Sequence, residues 1–258
     1  MRRTILLLAT MALTLLVASG VALAINKIGT NGPDTLRGTN GADNLFGKGG
    51  NDVLYALAGM DNLLGAEGKD WVLGSEPRPH GGEPRPQGGD KNLVGGLGND
   101  GVQGGLGSDT VLGSSGNDYV DGDKSSDRAV VGGEGRDVVN GWTGSDRMLG
   151  EGGGDLLIDG PVREASKNDV LSGGDGDDVL FGDHVPAVKD IVSCGGGFDR
   201  VVADSKDMVA DDCEKVQVVH GTKAEVLKQE DAFFESLPPA TREFFNTFDE
   251  QLAPSPNG

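Results

Sequence analysis

Aspartate is the residue type in this 258-residue chain whose spacing points to chemistry. From Gly29 the sequence reads GTNGPDTLR, GTNGADNLF, GKGGNDVLY, ALAGMDNLL and GAEGKDWVL, setting Asp34, Asp43, Asp52, Asp61 and Asp70 at a fixed interval. The register resumes in GGLGNDGVQ, GGLGSDTVL and GSSGNDYVD with Asp100, Asp109 and Asp118. It continues in GGEGRDVVN, GWTGSDRML and GEGGGDLLI with Asp137, Asp146 and Asp155, and Asp169 and Asp178 close the series. Each unit carries an apolar residue two places after its aspartate, and glycine two places before it except at Lys167. Glycine loops leave backbone carbonyls accessible. With one carboxylate per loop they form a hard-oxygen donor set of the kind calcium takes, roughly six to eight oxygens at a time. Aspartates that merely solvate turns need neither a period nor glycine at fixed offsets.

The elements that present such a series cannot be helices. Nine residues make about two and a half α-helical turns, so alternate aspartates would face opposite sides. A short fixed period points instead to a solenoid. The units resemble the hemolysin-type (RTX) calcium-binding nonapeptide repeat, G-G-x-G-x-D-x-U-x, over about residues 29–202. The resemblance implies an all-β fold, a parallel β-roll solenoid with a short helical C-terminal tail. In that roll the first six residues of a unit form a loop, the last three a strand, and two units complete a turn. Each loop then stacks on the loop two units away. It also implies calcium ions bridging stacked loops, pairing Asp34 with Asp52, Asp43 with Asp61, Asp52 with Asp70 and Asp100 with Asp118. Asp137 with Asp155, Asp146 with Asp169, and Asp155 with Asp178 follow the same rule.

Stacked carboxylates at the ~4.8 Å spacing of neighbouring strands repel by ~0.9 kcal/mol per pair even at water's dielectric constant. Over many pairs that rivals a whole domain's stability of ~5–15 kcal/mol. A thin column of Leu and Val offsets little of it. Calcium binding and folding are therefore expected to be coupled.

The rest of the chain divides by composition. Residues 1–24, with Arg2 and Arg3 before an apolar run and Ala22-Leu23-Ala24 at its end, read as a secretion signal. The expected product is a secreted, extracellular protein with no transmembrane anchor after cleavage. The net charge of −19, more negative still without the two arginines, argues against nucleic acid as a partner. A first roll block is expected over 25–73 and a second over 90–189. Between them lies a Pro/Gly-rich inserted loop at 74–89, EPRPHGG followed by EPRPQGG, whose prolines cannot pair as interior strands. The unit PQGGDKNLV has Lys91 where aspartate belongs, and DKSSDRAVV has Asp127 shifted by one, so neither is expected to be a strong site. Smaller insertions fall around Asp159 to Arg163 and His184 to Val188.

Residues 190–220 read as a terminal capping unit, with Cys194 and Cys213 expected to form a disulfide in an exported protein. Residues 221–258 read as a Phe-rich tail of two helices separated by Pro238-Pro239, either a cap on the roll or a surface for a cell-surface or protein partner. No H-E-x-x-H or G-x-S-x-G motif is present, and only three histidines occur, so no enzyme is expected. The expected function is extracellular calcium binding with calcium-coupled folding. A calcium-dependent adhesion protein using the tail is the alternative.

Overall fold

The computed structural model describes residues 24–74, 90, 92–160 and 167–243. The expected signal segment, nearly all of the proline-rich insert, Lys91 and Phe244, Phe245 and Phe248 of the tail lie outside them. The chain winds as a parallel β-roll of two ten-stranded sheets. The first sheet contains β1 (Asn26–Ile28), β3 (Asn44–Gly49), β5 (Asn62–Glu67), β7 (Asn92–Leu97) and β9 (Thr110–Ser115). It continues with β11 (Ala129–Glu134), β13 (Arg147–Gly152), β15 (Val170–Asp175), β17 (Ile191–Gly196) and β19 (Met208–Val209). The second contains β2 (Thr35–Arg37), β4 (Val53–Tyr55), β6 (Trp71–Leu73), β8 (Gly101–Gln103) and β10 (Tyr119–Asp121). Its other half is β12 (Val138–Asn140), β14 (Leu156–Ile158), β16 (Val179–Gly182), β18 (Arg200–Ala203) and β20 (Lys215–Val218).

Each strand pairs in parallel with strands two places away, so successive loops fall on opposite edges and stack at every second unit. The strands are shorter in the second sheet than in the first. Most first-sheet strands run on into the opening residues of the next unit, where Lys48 pairs with Ala66 and Gly49 with Glu67. These residues keep pairing because Lys48, Ala66, Ser114 and Glu151 all share the same left-handed backbone, so neighbouring chains match bond for bond.

The interior is one column of side chains per sheet. Leu45, Leu63, Leu93 and Val111 from the first sheet meet Leu54, Val72, Val102 and Val120 from the second, all buried. Aspartate sits two residues before each of these core positions in a regular unit. The alternation of side chains along a strand therefore ties loop position to core position. The backbone stacks so closely at the fourth position of each unit that only glycine fits on the Asp100 edge. A Cβ on Gly98 would lie 1.5 Å from the Gly68 carbonyl oxygen, and the residue has φ +133°.

The roll does not stop at the proline-rich insert. β5 pairs with β7 and β6 with β8 across it, so the two expected blocks form one continuous stack. At the C-terminal end Cys194 and Cys213 form a disulfide across 19 residues, with Cα atoms 5.2 Å apart. A loop of that size restricts the unfolded chain by ~3 kcal/mol in the chain-entropy account. The Asp212 carboxylate accepts from the N–H groups of Cys194 and Gly195 at 3.2 Å, beside the disulfide.

The tail helix α1 (Lys223–Ser236) lies on the outer face of the second sheet, rather than over the open end of the roll. The Thr222 N–H donates to the Glu225 carboxylate at 2.7 Å to start the helix. Val226, Phe233 and Leu237 pack against Val138, Leu156, Val179 and Val202, with Phe233 edge-on to Phe181 at 5.8 Å. The physical reason is supplied by the strands: from β12 to β18 the second sheet turns Val138, Leu156, Ile158, Val179, Phe181 and Val202 outward, and an amphipathic helix covers them. Among the described residues no helix is long and apolar enough to cross a membrane.

Candidate metal centre

All thirteen aspartates singled out by their spacing stand in two ladders, one along each edge of the roll. On one edge the backbone N–H of Asp34 donates to Oδ1 of Asp52 at 2.8 Å, and Asp52 donates to Asp70 at 2.8 Å. The series passes from Asp70 to Asp100, Asp118, Asp137, Asp155 and Asp178 at 2.7–2.8 Å. On the other edge Asp43 donates to Asp61 at 2.7 Å, and the series later joins Asp109, Asp146 and Asp169. The stacked pairs expected from the resemblance are therefore adjacent rungs.

The ladders contain rungs that the sequence reading discounted. Asp90 accepts from the Asp61 N–H at 2.9 Å and donates to Asp109. Asp127 accepts from Asp109 at 2.9 Å and donates to Asp146 at 2.7 Å. The expectation that Lys91 takes the aspartate place, and that Asp127 is out of register, is corrected. Each irregular unit holds one extra residue between its aspartate and its core side chain. Leu93 and Val130 both follow their aspartates by three places, while regular core residues follow by two. The carboxylate stays on its rung all the same. Counting back from the core position misplaces the aspartate, whereas aligning the Gly-Asp loop finds it.

Three further rungs extend the ladders. Asp190 accepts from Asp169 at 2.8 Å and Asp199 from Asp178 at 2.8 Å, while Asp207 accepts from Asp190 at 3.0 Å. Glu214 accepts from Asp199 at 2.8 Å and follows the same pattern with a longer side chain. In each case the acid precedes the strand by one residue; Asp199 keeps the glycine two places before it, Gly197, while Asp190, Asp207 and Glu214 lack it.

The second carboxylate oxygen separates the rungs into two kinds. Oδ2 of Asp52, Asp61, Asp70, Asp100, Asp109, Asp118, Asp137, Asp146, Asp155 and Asp178 is buried with no hydrogen-bond partner, as is that of Asp127, Asp190 and Asp199. At Asp52, Asp70, Asp100, Asp109, Asp118, Asp127, Asp137, Asp146, Asp155 and Asp178 this oxygen faces the first glycine of its own loop. A Cβ built on Gly65 would lie 2.4 Å from Asp70 Oδ2 and 2.6 Å from the Gly95 carbonyl oxygen of the next level. The same point at Gly113 is 2.5 Å from Asp118 Oδ2 and 2.6 Å from the Gly132 carbonyl, and at Gly150 it is 2.4 Å from both Asp155 Oδ2 and the Gly173 carbonyl. A carboxylate and a carbonyl from adjacent levels thus converge on one small space that only glycine leaves open. Two oxygens facing each other without a donor lack any compensation for their lost water. A cation would supply it.

Near the N-terminal end of the roll the second oxygen is already engaged. Thr30 donates to Asp34 Oδ2 through its N–H at 2.5 Å and its hydroxyl at 2.9 Å. Thr39 does the same for Asp43, with its N–H at 2.5 Å and its hydroxyl at 3.1 Å. The GTNG loops of these first two units differ in this way from the later ones. Asp207 likewise receives the Asp204 N–H on its second oxygen at 2.6 Å.

Electrostatics mark the interior rungs. Burial pushes Asp70 up to about 6, Asp100, Asp118, Asp155 and Asp178 up to about 7, and Asp137 up to about 8. Burial lifts Asp127 to about 9, with Asp146, Asp109 and Asp123 adding repulsion. In each, the backbone N–H of the rung before pulls the other way and loses.

Fold and site together define a parallel β-roll edged by two carboxylate ladders, many of whose free oxygens face backbone carbonyls of the next level. A family model described as the RTX calcium-binding nonapeptide repeat matches the chain in four copies, at residues 28–63, 92–129, 130–157 and 166–183. Over those residues the chain carries RTX calcium-binding nonapeptide repeats. No curated protein matches it significantly.

Proposed function

We propose that the protein is an extracellular calcium-binding module whose ion-bound ladders hold the roll together. The observation that carries this reading is the set of buried Oδ2 atoms with no donor, of which those of Asp52, Asp70, Asp100, Asp109, Asp118, Asp127 and Asp155 converge with a glycine carbonyl from the next level. Asp52, Asp61, Asp70, Asp100, Asp109, Asp118, Asp137, Asp146, Asp155 and Asp178 would hold the ions, joined by Asp127, Asp190 and Asp199. Asp34, Asp43 and Asp169 share the ladder. The first two have threonine donors in place, so they contribute less to ion binding than to closing the roll's first turns. Calcium suits the donor set because it is hard and all-oxygen. It would neutralise carboxylates that otherwise repel along the stack and stay protonated through burial.

Secretion follows from the expected signal at residues 1–24, and an exterior setting supplies both millimolar calcium and oxidising conditions for the disulfide. The same ladder argument makes folding calcium-coupled. Attachment through the tail finds less support, because Phe233 is turned inward against the sheet and Phe234 is partly buried there. Circular dichroism of the full-length chain, titrated with calcium after chelation, tests the reading. Parallel β signal should grow steeply with calcium, and an unchanged spectrum would refute it.

A further inference from the structure

We propose a second kind of metal site, of mixed nitrogen and oxygen donors, formed by Asp159, His184 and Asp190 and suited to a divalent transition ion such as zinc. His184 is 4 % exposed, and neither of its ring nitrogens has a hydrogen-bond partner. Leaving both nitrogens of a buried imidazole without a partner is costly. Its Nδ1 stands 3.5 Å from Asp190 Oδ2 and 3.7 Å from Asp159 Oδ2, and one ligand atom from each of the three residues lies within 4.8 Å of the others. Ligands around a tetrahedral zinc at ~2.0–2.2 Å are ~3.4 Å apart, so the three atoms need to close by only a few tenths of an ångström to a little over one.

The sequence departs from its repeat where this cluster forms. Along the Asp146 edge the first place of each unit is Gly104, Gly122 and Gly141, which leaves the space beside the carboxylate open. The next level up puts Asp159 there: its carbonyl faces Gly141 and its N–H donates to Phe181. Asp159 therefore fills with a carboxylate a space that other levels leave open. Its neighbour in the ladder, Asp169, interacts with it directly. His184 arrives from the following irregular loop, so two insertions that look unrelated along the chain meet at one point. Asp190 is shared with the ladder, and the cluster therefore caps that series of all-oxygen spaces with a nitrogen ligand. Calcium favours oxygen donors, while imidazole with carboxylates suits zinc and similar ions. The chemistry separates the two sites within one edge.

The test uses the full chain saturated with calcium and then titrated with cobalt(II), whose visible d–d absorption reports nitrogen and oxygen ligation. One equivalent should bind, give bands in the visible, resist a large excess of calcium, and be displaced by zinc. His184→Gln should abolish the bands and weaken zinc binding at least 100-fold while leaving the calcium-induced circular dichroism intact. Absence of cobalt binding, displacement by calcium, or equal bands in His184→Gln would overturn the proposal. Should that variant fail to fold, nitrogen NMR of the unaltered chain decides. With resonances assigned through His80→Gln and His220→Gln, zinc should shift one imidazole, that of His184. A shift confined to another histidine, or none, would overturn the site equally.

Discussion

Replacing Asp118 by asparagine should stabilise the ion-free chain and weaken its response to calcium. Asp118 sits between Asp100, whose N–H donates to its Oδ1 at 2.8 Å, and Asp137, whose Oδ1 accepts from its N–H at 2.7 Å. Asparagine retains the Oδ1 acceptor. Its amide would replace Oδ2, which now shares a small space with the Gly132 carbonyl, and so would set a donor against that acceptor. The charge it removes has two neighbours at ~4.8 Å. Each pair repels by ~0.9 kcal/mol at water's dielectric constant and ~3.5 kcal/mol at an effective value of ~20. Partial protonation near neutral pH lowers both figures, since burial has lifted Asp118 and Asp100 to about 7 and Asp137 to about 8. A net gain of about 2–4 kcal/mol in chelator remains, a rise of about 5–15 °C in melting temperature for a roll of this size. In calcium the variant lacks a charged ligand, and the calcium midpoint should rise by about tenfold for each ~1.4 kcal/mol of binding lost. Melting followed by circular dichroism, with chelator and with calcium, gives both numbers. Where the ion-free chain starts unfolded, the midpoint alone carries the comparison. Equal destabilisation in both conditions would refute the reasoning, because Asp118 would then act as a structural acceptor and not as a charge awaiting an ion.

Acidity should act in the same direction as calcium. The folded carboxylates titrate at about 6 to 9, above the ordinary aspartate value of ~3.9, so the ion-free fold holds protons that the unfolded chain releases. Ion-free stability should therefore fall as pH rises through that window, and the calcium midpoint should drop over the same range as protons cease to compete. A midpoint independent of pH from about 6 to 9 would sink this account. Gly65→Ala should close the space between Asp70 Oδ2 and the Gly95 carbonyl, costing about 1–3 kcal/mol in the roll and raising the calcium midpoint. An unaltered midpoint in that variant would show that ions do not depend on the space. Phe233→Ala should cost about 3–5 kcal/mol by emptying the contact between α1 and Phe181. Protease digestion should then release the tail before the roll, and simultaneous cleavage would argue against a separately docked helix.

The repeat register alone pointed to a solenoid with thirteen regular rungs and an apolar column, and the resemblance it carries implied the parallel roll. Side-chain alternation ties Asp118 to Val120, and a nine-residue period admits no helix. The link between Cys194 and Cys213 was legible from their closeness in a chain expected to be exported. Tertiary structure decided what depends on neighbours far apart in sequence. Asp90 and Asp127 keep their rungs, despite one extra residue before each core side chain, because the level above and the level below supply their hydrogen bonds. The first two loops carry a threonine at their second place, and the structure turns its N–H and hydroxyl onto the second carboxylate oxygen. The resting place of α1 followed from the outer face of the second sheet, which period-nine reading assigns no partner. Asp159 and His184 come from separate insertions, and only the winding of the roll sets one above the other against Asp190. Local periodicity specifies a stack, but the contents of each level are set by the residues that stacking brings together.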